Sequence, residues 1–97
     1  MSTERDFQDS TPPLTASAQR FRSAVNKRFA QYLKKVRCRA GYTQLDLSLA
    51  LGRGPKYVWR LENGYSEPDI FEFIEIMEIL RVDPAAAMGD IAQSVRS

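Results

Sequence analysis

Apolar residues recur every three or four positions from Val25 onward, which is the spacing of one face of an α-helix. They predict a first helix with this apolar stripe: Val25, Phe29, Tyr32 or Leu33, Val36 and Ala40. Ser23 is suited to cap its start, and Gly41 is suited to end it in the left-handed conformation. Residues 1–22 are polar and follow no helical or strand period, so we expect a flexible N-terminal arm there.

Two short helices are predicted next, separated by a glycine-containing turn. Thr43 is placed as the N-cap of the second helix, and Asp46 three residues later is suited to complete a capping box. This helix is expected to end at Gly52. A third helix is expected from Pro55 to Glu62, because proline is favoured at the first helical position.

Two further helices complete the predicted fold. Pro68-Asp69 indicates the start of a fourth helix, for which we expect this inward face: Ile70, Phe73, Ile74, Met77 and Leu80. Its glutamates predict a solvated acidic stripe: Glu72, Glu75 and Glu78. Asp83-Pro84 indicates the start of a fifth helix with apolar positions at Ala87, Met88, Ile91 and Val95, and Gly89 is expected to interrupt it. No strand period is found, so the sequence predicts an all-α fold.

The net charge of +2 conceals an uneven distribution along the chain. Residues 21–60 carry ten lysines and arginines against the single acid Asp46, and therefore a net charge of +9. Residues 61–97 carry two basic and eight acidic residues, a net charge of −6. A strongly basic half is suited to a polyanion such as nucleic acid. The alternative is that the two parts neutralise each other across the fold.

The residue types that support catalysis or metal binding are scarce. The chain has no histidine and one cysteine, Cys38, which excludes His/Cys zinc sites and most nucleophilic or general-base schemes. We therefore expect a protein that is not an enzyme and needs no cofactor or metal. There is no run of about eighteen apolar residues and no signal-peptide pattern, so we expect a cytoplasmic protein without membrane contact.

Several positions between Leu33 and Val82 share a joint spacing: Arg37, Gly41, Thr43, Gln44, Leu47, Gly52, Val58, Leu61, Glu62, Asn63, Gly64, Pro68 and Leu80. Together they resemble the Cro/C1-type, or XRE, family of phage-repressor-like helix-turn-helix domains. The resemblance implies a compact five-helix, lambda-repressor-like DNA-binding fold. Its Cro/C1-type helix-turn-helix domain covers residues 23–83, with the helix-turn-helix unit at 44–63. Residues 84–97 are then a C-terminal helix available for dimer contact.

The third helix is expected to present cations to DNA. Val58 and Leu61 are predicted to point inward, which leaves Lys56, Tyr57 and Arg60 outside. A helix fits the major groove, and arginine can bond twice to guanine, so Arg60 is the first candidate for base readout. Lys56 is a candidate for a base or a phosphate contact. The alternative for both cations is a solvated helix face.

Three polar residues near this helix are candidates for contact with the DNA backbone. Thr43 caps the second helix, where free backbone N–H groups attract a phosphate oxygen. The resemblance implies that Gln44 contacts a phosphate or braces a side chain of the recognition helix, and that Asn63 contacts the DNA backbone. The alternatives are an ordinary first-turn residue for Gln44 and a helix C-cap for Asn63.

The resemblance also implies a buried salt bridge between Arg37 of the first helix and Glu62 of the third. Such a pair orients the recognition helix and takes no part in chemistry. The alternative is a solvated surface pair, which contributes little to stability.

Some positions depart from the family pattern. Gly54-Pro55 replaces a polar cap and a polar, often base-reading, residue, which moves readout toward Lys56 and Arg60 or lowers base specificity. Leu45, Leu49 and Trp59 are apolar where polar residues are usual. We expect this cluster to pack under the extra N-terminal turn of the first helix. The alternatives are that it covers the N-terminal arm, a partner protein or DNA sugar faces.

The sequence therefore predicts a sequence-specific, double-stranded-DNA-binding transcriptional regulator that acts as a homodimer, located on the nucleoid when bound. The dimer surface is expected on the fifth helix and on the fourth-helix residues Phe71, Ile76 and Ile79. The alternative is a protein-binding module, such as an antitoxin or a phage-type anti-regulator with secondary DNA affinity, that uses the N-terminal arm to bind its partner.

Overall fold

The computed structural model describes residues 15–96, and five α-helices account for most of them. Their bounds are α1 Ala16–Arg39, α2 Gln44–Ala50, α3 Tyr57–Glu62, α4 Ile70–Ile79 and α5 Pro84–Arg96. No strand occurs within residues 15–96. The predicted all-α fold with five helices is confirmed.

The first helix begins earlier than the sequence pattern predicted. Thr15 is the N-cap of α1, and its Oγ1 accepts a hydrogen bond from the backbone N–H of Ala18 at 3.1 Å. Ser23, the predicted cap, lies inside the helix with an exposed side chain. The arm assigned to residues 1–22 is therefore wrong for residues 16–22, which are helical because they follow a good cap and include strong helix formers. Residues 1–14 of the predicted arm lie outside the described residues.

The hydrophobic core lies where α1 packs against α3 and α5, with α2 on α3 and α4 on α5. All five helices and the residues that end α2 and α4 contribute to it: Phe29, Leu33, Val36, Leu47, Leu51, Val58, Leu61, Phe73, Ile76, Met77, Leu80, Ala87 and Ile91. The short α2 and α3 each bury apolar side chains in this core. The core therefore fixes their orientation, although neither helix is long enough to be stable alone.

The buried face of α4 differs from the predicted one. Ile76 is fully buried, whereas Ile70 and Ile74 are 51% and 42% exposed. Phe73, Met77 and Leu80 are buried as expected. The expectation failed because α4 is apolar around most of its circumference, so its periodicity allows two inward faces and only packing selects one.

α5 begins at Pro84 as predicted, and the Asp83 carboxylate accepts a hydrogen bond from the backbone N–H of Ala86 at 3.3 Å. It runs without a break through Gly89, so the predicted interruption is wrong. The helix packs against α1 and α4, and these contacts support it on both sides of the glycine. None of the helices described is both long enough and apolar enough to span a lipid bilayer.

Candidate nucleic-acid interface

The turn between α2 and α3 is built from Leu51 to Lys56. Leu51 caps the C-terminus of α2, and Gly52 follows with φ +70°, in the left-handed region that favours glycine. Pro55 and Lys56 form a turn closed by a hydrogen bond from the Tyr57 N–H to the Gly54 carbonyl at 3.1 Å. α3 therefore begins at Tyr57, two residues after the predicted start, and Pro55 shapes the turn that precedes the helix.

Four residues form an exposed stripe on α3 and its flanks: Lys56, Trp59, Arg60 and Asn63. Their spacing of three and four residues places them on one side of the helix. Val58 and Leu61 on the opposite side are fully buried, as predicted. The helix thus presents a polar and aromatic stripe outward while the core holds its other face.

The cations of this stripe, Lys56 and Arg60, are both exposed. Neither Lys56 nor Arg60 makes a side-chain hydrogen bond or ion pair with any residue from 15 to 96. Residues 21–60 form the basic segment and residues 61–97 the acidic segment. Three other cations of the basic segment pair with acids of the acidic segment: Arg22 with Glu67, Arg37 with Glu62 and Arg53 with Glu72. The acidic segment therefore neutralises only part of the basic one and leaves the α3 cations available.

Tyr57 does not point outward as predicted. Its ring is partly buried against the core and lies under the Arg53 guanidinium, 4.8 Å from the ring centroid. Its hydroxyl is buried without a hydrogen-bond partner among residues 15–96, and burial, helped by the nearby charge of Glu72, raises the pKa of Tyr57 to about 12. The Tyr57 side chain points inward because its ring makes apolar contacts with the core.

Arg37 and Glu62 form a buried ion pair between α1 and α3. Arg37 Nε lies 2.6 Å and Nη2 3.0 Å from the two carboxylate oxygens of Glu62, and the side chains are 9% and 4% exposed. Arg37 Nη1 also donates to the Tyr42 carbonyl at 2.8 Å. The hydrogen bond to Glu62 raises the pKa of Arg37. This bidentate contact fixes α3 against α1.

The start of α2 lies beside the same carboxylate. Gln44 Nε2 donates to Glu62 Oε1 at 2.9 Å, so Gln44 braces a residue of α3, which is one of its two expected contacts. Thr43 Oγ1 accepts from the Asp46 N–H at 2.9 Å, and the Asp46 carboxylate accepts from the Thr43 N–H at 3.4 Å. The predicted capping box is present, and it leaves Thr43 exposed at the N-terminus of α2.

Ser48 makes a contact that sequence reasoning missed. Its hydroxyl donates to the Gln44 carbonyl at 2.8 Å and accepts from the Val58 N–H at 3.0 Å, and the residue is fully buried. Lys56, the N-cap of α3, makes no side-chain capping bond, so Ser48 satisfies an N-terminal N–H of α3 from a different helix. The signal in the sequence is a serine at an inward position of α2, where the neighbouring inward residue is Leu47.

The model of the family described as Helix-turn-helix matches residues 33–86, which is more than half of the 97 residues. The chain belongs to this helix-turn-helix family. Its type is Cro/C1, as the resemblance indicated. The comparisons with curated proteins and with solved structures gave no match.

Two parts of the chain extend the helix-turn-helix match. Residues 16–32 of α1 precede it and residues 87–96 of α5 follow it, and both lie in helices that pack on each other. They line an apolar groove of about 710 Å³ together with the start of α4. The chain thus adds a second surface, which does not include the exposed stripe of α3.

Arg53, in the turn of the helix-turn-helix, forms ion pairs with α4. Arg53 Nη1 lies 2.7 Å from a Glu72 oxygen, and Nη2 lies 3.9 Å from Glu75. Glu72 also accepts from the Asp69 N–H at 2.9 Å in the capping box of α4. These contacts lower the pKa of Glu72 and raise that of Arg53. Glu72 was predicted to lie in a solvated acidic stripe on α4, and it pairs with Arg53 instead.

The C-terminal end of α3 is formed by Asn63 and an aromatic pair. Asn63 is the C-cap, and its Nδ2 donates to the Trp59 carbonyl at 2.9 Å. The Trp59 and Tyr65 rings stack with centroids 5.5 Å apart and an interplanar angle of 12°.

Leu45 and Leu49 are exposed on α2, so the expectation that they pack under α1 is wrong. α1 packs against α3 and α5 instead.

Proposed function

We propose that the protein is a sequence-specific transcriptional regulator that places α3 in the major groove of double-stranded DNA and acts in the cytoplasm, on the nucleoid. Lys56 and Arg60 carry this proposal: they have no side-chain partner among residues 15–96, and they are exposed at a helix that the buried Arg37–Glu62 pair holds in place. Membership of a DNA-binding family supports it. A fixed helix with outward cations is what base readout requires.

Each polar residue of the interface has a proposed role. Arg60 pairs with guanine O6 and N7, while Lys56 contacts a base or a phosphate. Thr43 and Gln44 bring the N-terminus of α2, with its free backbone N–H groups, to a phosphate. Asn63 retains one amide hydrogen and its Oδ1 after bonding to Trp59, and contacts the DNA backbone.

The test is binding to a duplex selected from a random pool, measured over a range of salt concentrations. Arg60→Ala is expected to relax specificity at one base pair at a cost of about 1–3 kcal/mol. If Lys56 contacts a phosphate, Lys56→Ala instead weakens all sequences alike and reduces the salt slope by about one. Lys27→Ala, an exposed cation on α1, is the matched control. No change in affinity for any duplex with either α3 variant would overturn the assignment.

We further propose a homodimer formed through the groove between α1, α4 and α5. The groove has an apolar lining that includes Phe21, Val25, Ile70 and Met88, of which Phe21 is 61% and Met88 is 45% exposed. A two-fold interface uses one patch on both copies, so a groove with exposed apolar side chains in its lining is suited to it. The earlier choice of Ile76 for this surface is wrong because Ile76 is core.

Light scattering tests the dimer. The wild-type protein is expected at about twice 11.0 kDa, and Met88→Glu, which places a charge in the groove lining, at about 11.0 kDa. Leu49→Glu, which places the same charge at an exposed leucine of α2, is the control and is expected to remain a dimer. A monomeric wild type at micromolar concentration would remove this interface.

A second candidate function is a protein-binding module with secondary DNA affinity. The exposed leucines Leu45 and Leu49, one turn apart on α2, favour it, because adjacent exposed apolar side chains are suited to contact with a partner protein. Recovery of one protein at equal stoichiometry with the wild type but not with a Leu45→Glu, Leu49→Glu variant would support this candidate. Equal recovery of the partner with the wild type and with the double variant would contradict this candidate function.

A further inference from the structure

Trp59 lies on the same exposed stripe as the cations proposed to contact DNA. It follows Lys56 by three residues and precedes Asn63 by four, so all three lie on one side of α3. It is the only tryptophan of the chain and is 42% exposed. A large apolar ring in the middle of a polar recognition surface is a feature that neither the core nor the ion pairs account for.

The indole packs against a neighbouring aromatic ring. Tyr65 stacks on it at 5.5 Å between centroids, and the Tyr65 N–H donates to the Arg60 carbonyl at 2.9 Å, so the stacking partner is itself anchored to α3. The Asn63 side chain bonds to the Trp59 carbonyl at 2.9 Å. A side chain already ordered in the free protein loses little entropy when it contacts a ligand.

The major groove offers one apolar group at the base edges, which is the C5 methyl of thymine. The other groups at these edges are hydrogen-bond donors and acceptors, which an indole face cannot satisfy. We propose that Trp59 reads a thymine methyl next to the base pair contacted by Arg60. This proposal rests on the proposed function, because it requires α3 to lie in the major groove.

The experiment replaces each thymine of the selected duplex in turn by deoxyuridine, which lacks only the C5 methyl. Wild-type affinity is expected to fall about fourfold at one position per half-site, the value for losing one buried methyl-sized group. Trp59→Ala is expected to bind the thymine and uracil duplexes equally. Tyr65→Ala, which frees the indole, is expected to reduce the discrimination.

Fluorescence of the single tryptophan provides an independent measurement, because its emission is expected to change on titration with the selected duplex. Binding that depends on Arg60 but shows no thymine–uracil difference at any position, or full discrimination by Trp59→Ala, would overturn this inference and leave the proposed function standing. A selected site without thymine under α3 would also overturn it. Absence of binding to every duplex would overturn both. Circular dichroism checks that each variant is folded.

Discussion

The Ser48 hydroxyl accepts a hydrogen bond from the Val58 N–H at 3.0 Å and so caps α3 from α2. The same hydroxyl donates to the Gln44 carbonyl at 2.8 Å. Both ends of the bond to Val58 are buried, so no water replaces either partner. One small side chain therefore sets the distance between the two helices of the helix-turn-helix.

We expect Ser48→Ala to lower the free energy of unfolding by about 1–3 kcal/mol, because it leaves a buried N–H without an acceptor. Urea unfolding measures this. Ser23→Ala, in which the serine is exposed on α1, is the control and is expected to change stability by less than about 0.5 kcal/mol. Equal effects of the two substitutions would show that the cap is unimportant.

The buried pair of Arg37 and Glu62 is expected to be sensitive to loss of one partner. Arg37→Met leaves the Glu62 carboxylate buried with only Gln44 bonded to it, and we expect a loss of about 3–5 kcal/mol. The double variant Arg37→Met, Glu62→Leu is expected to regain most of this. Urea unfolding of both variants tests the interaction.

Arg22 and Glu67 provide a matched control for that experiment, because they form an exposed bidentate pair. Arg22→Met is expected to cost less than about 1 kcal/mol, since water solvates both charges when the pair is broken. If the exposed and buried pairs gave equal losses, burial would not be the reason for the effect of Arg37→Met.

Arg81 is the one non-glycine residue with a positive φ, 60°, among residues 15–96. Its side chain is exposed, and glycine adopts this conformation at lower cost. We expect Arg81→Gly to raise the free energy of unfolding by about 0.5–1 kcal/mol. Gly64→Ala is the converse: with φ +78° and no atom within 4 Å of an added Cβ, it is expected to cost about 1 kcal/mol through backbone strain alone. Thermal unfolding measures both, and a loss on Arg81→Gly would contradict the argument.

Glu72 is expected to make stability depend on pH. Its pKa is lowered by the hydrogen bond from the Asp69 N–H and by Arg53, so its contribution is fully present above the unfolded-state pKa of glutamate and is lost as pH falls through the lower, folded-state pKa. Glu72→Gln is therefore expected to be less stable than wild type at pH 7, with the difference closing in acid. Glu78→Gln is the control, because Glu78 lies on the same helix and forms no ion pair with any residue from 15 to 96. A gap that persists below the folded-state pKa would contradict the assignment.

Local signals in the sequence predicted the helix boundaries where one residue determines the conformation. Gly41 and Gly52 have the left-handed φ that ends α1 and α2, and Thr43 and Asp46 form the capping box. The start of α1 was missed because Thr15 and Ser23 are both good caps. Polar residues between them suit the solvated face of a helix as well as a flexible arm.

The missed features of the site depend on contacts between helices. α4 is apolar on most sides, so its period did not distinguish Ile76 from Ile70 and Ile74. Tyr57 turned inward because its ring packs on the core and under Arg53. Ser48 gained its role only because Val58 lies opposite it across the turn. Such relationships are set by packing, which the spacing of residue types does not encode.

α3 contains only six residues, and its N-cap residue makes no side-chain capping bond. A segment this short does not stay helical in water by itself, so its shape is supplied by Ser48, by the Glu62 carboxylate network and by two core side chains. Its amides are therefore expected to exchange with solvent deuterium only when the whole domain opens. The exposed face of α3 would then be as rigid as the hydrophobic core. If α3 binds DNA as proposed, it would not have to fold on binding.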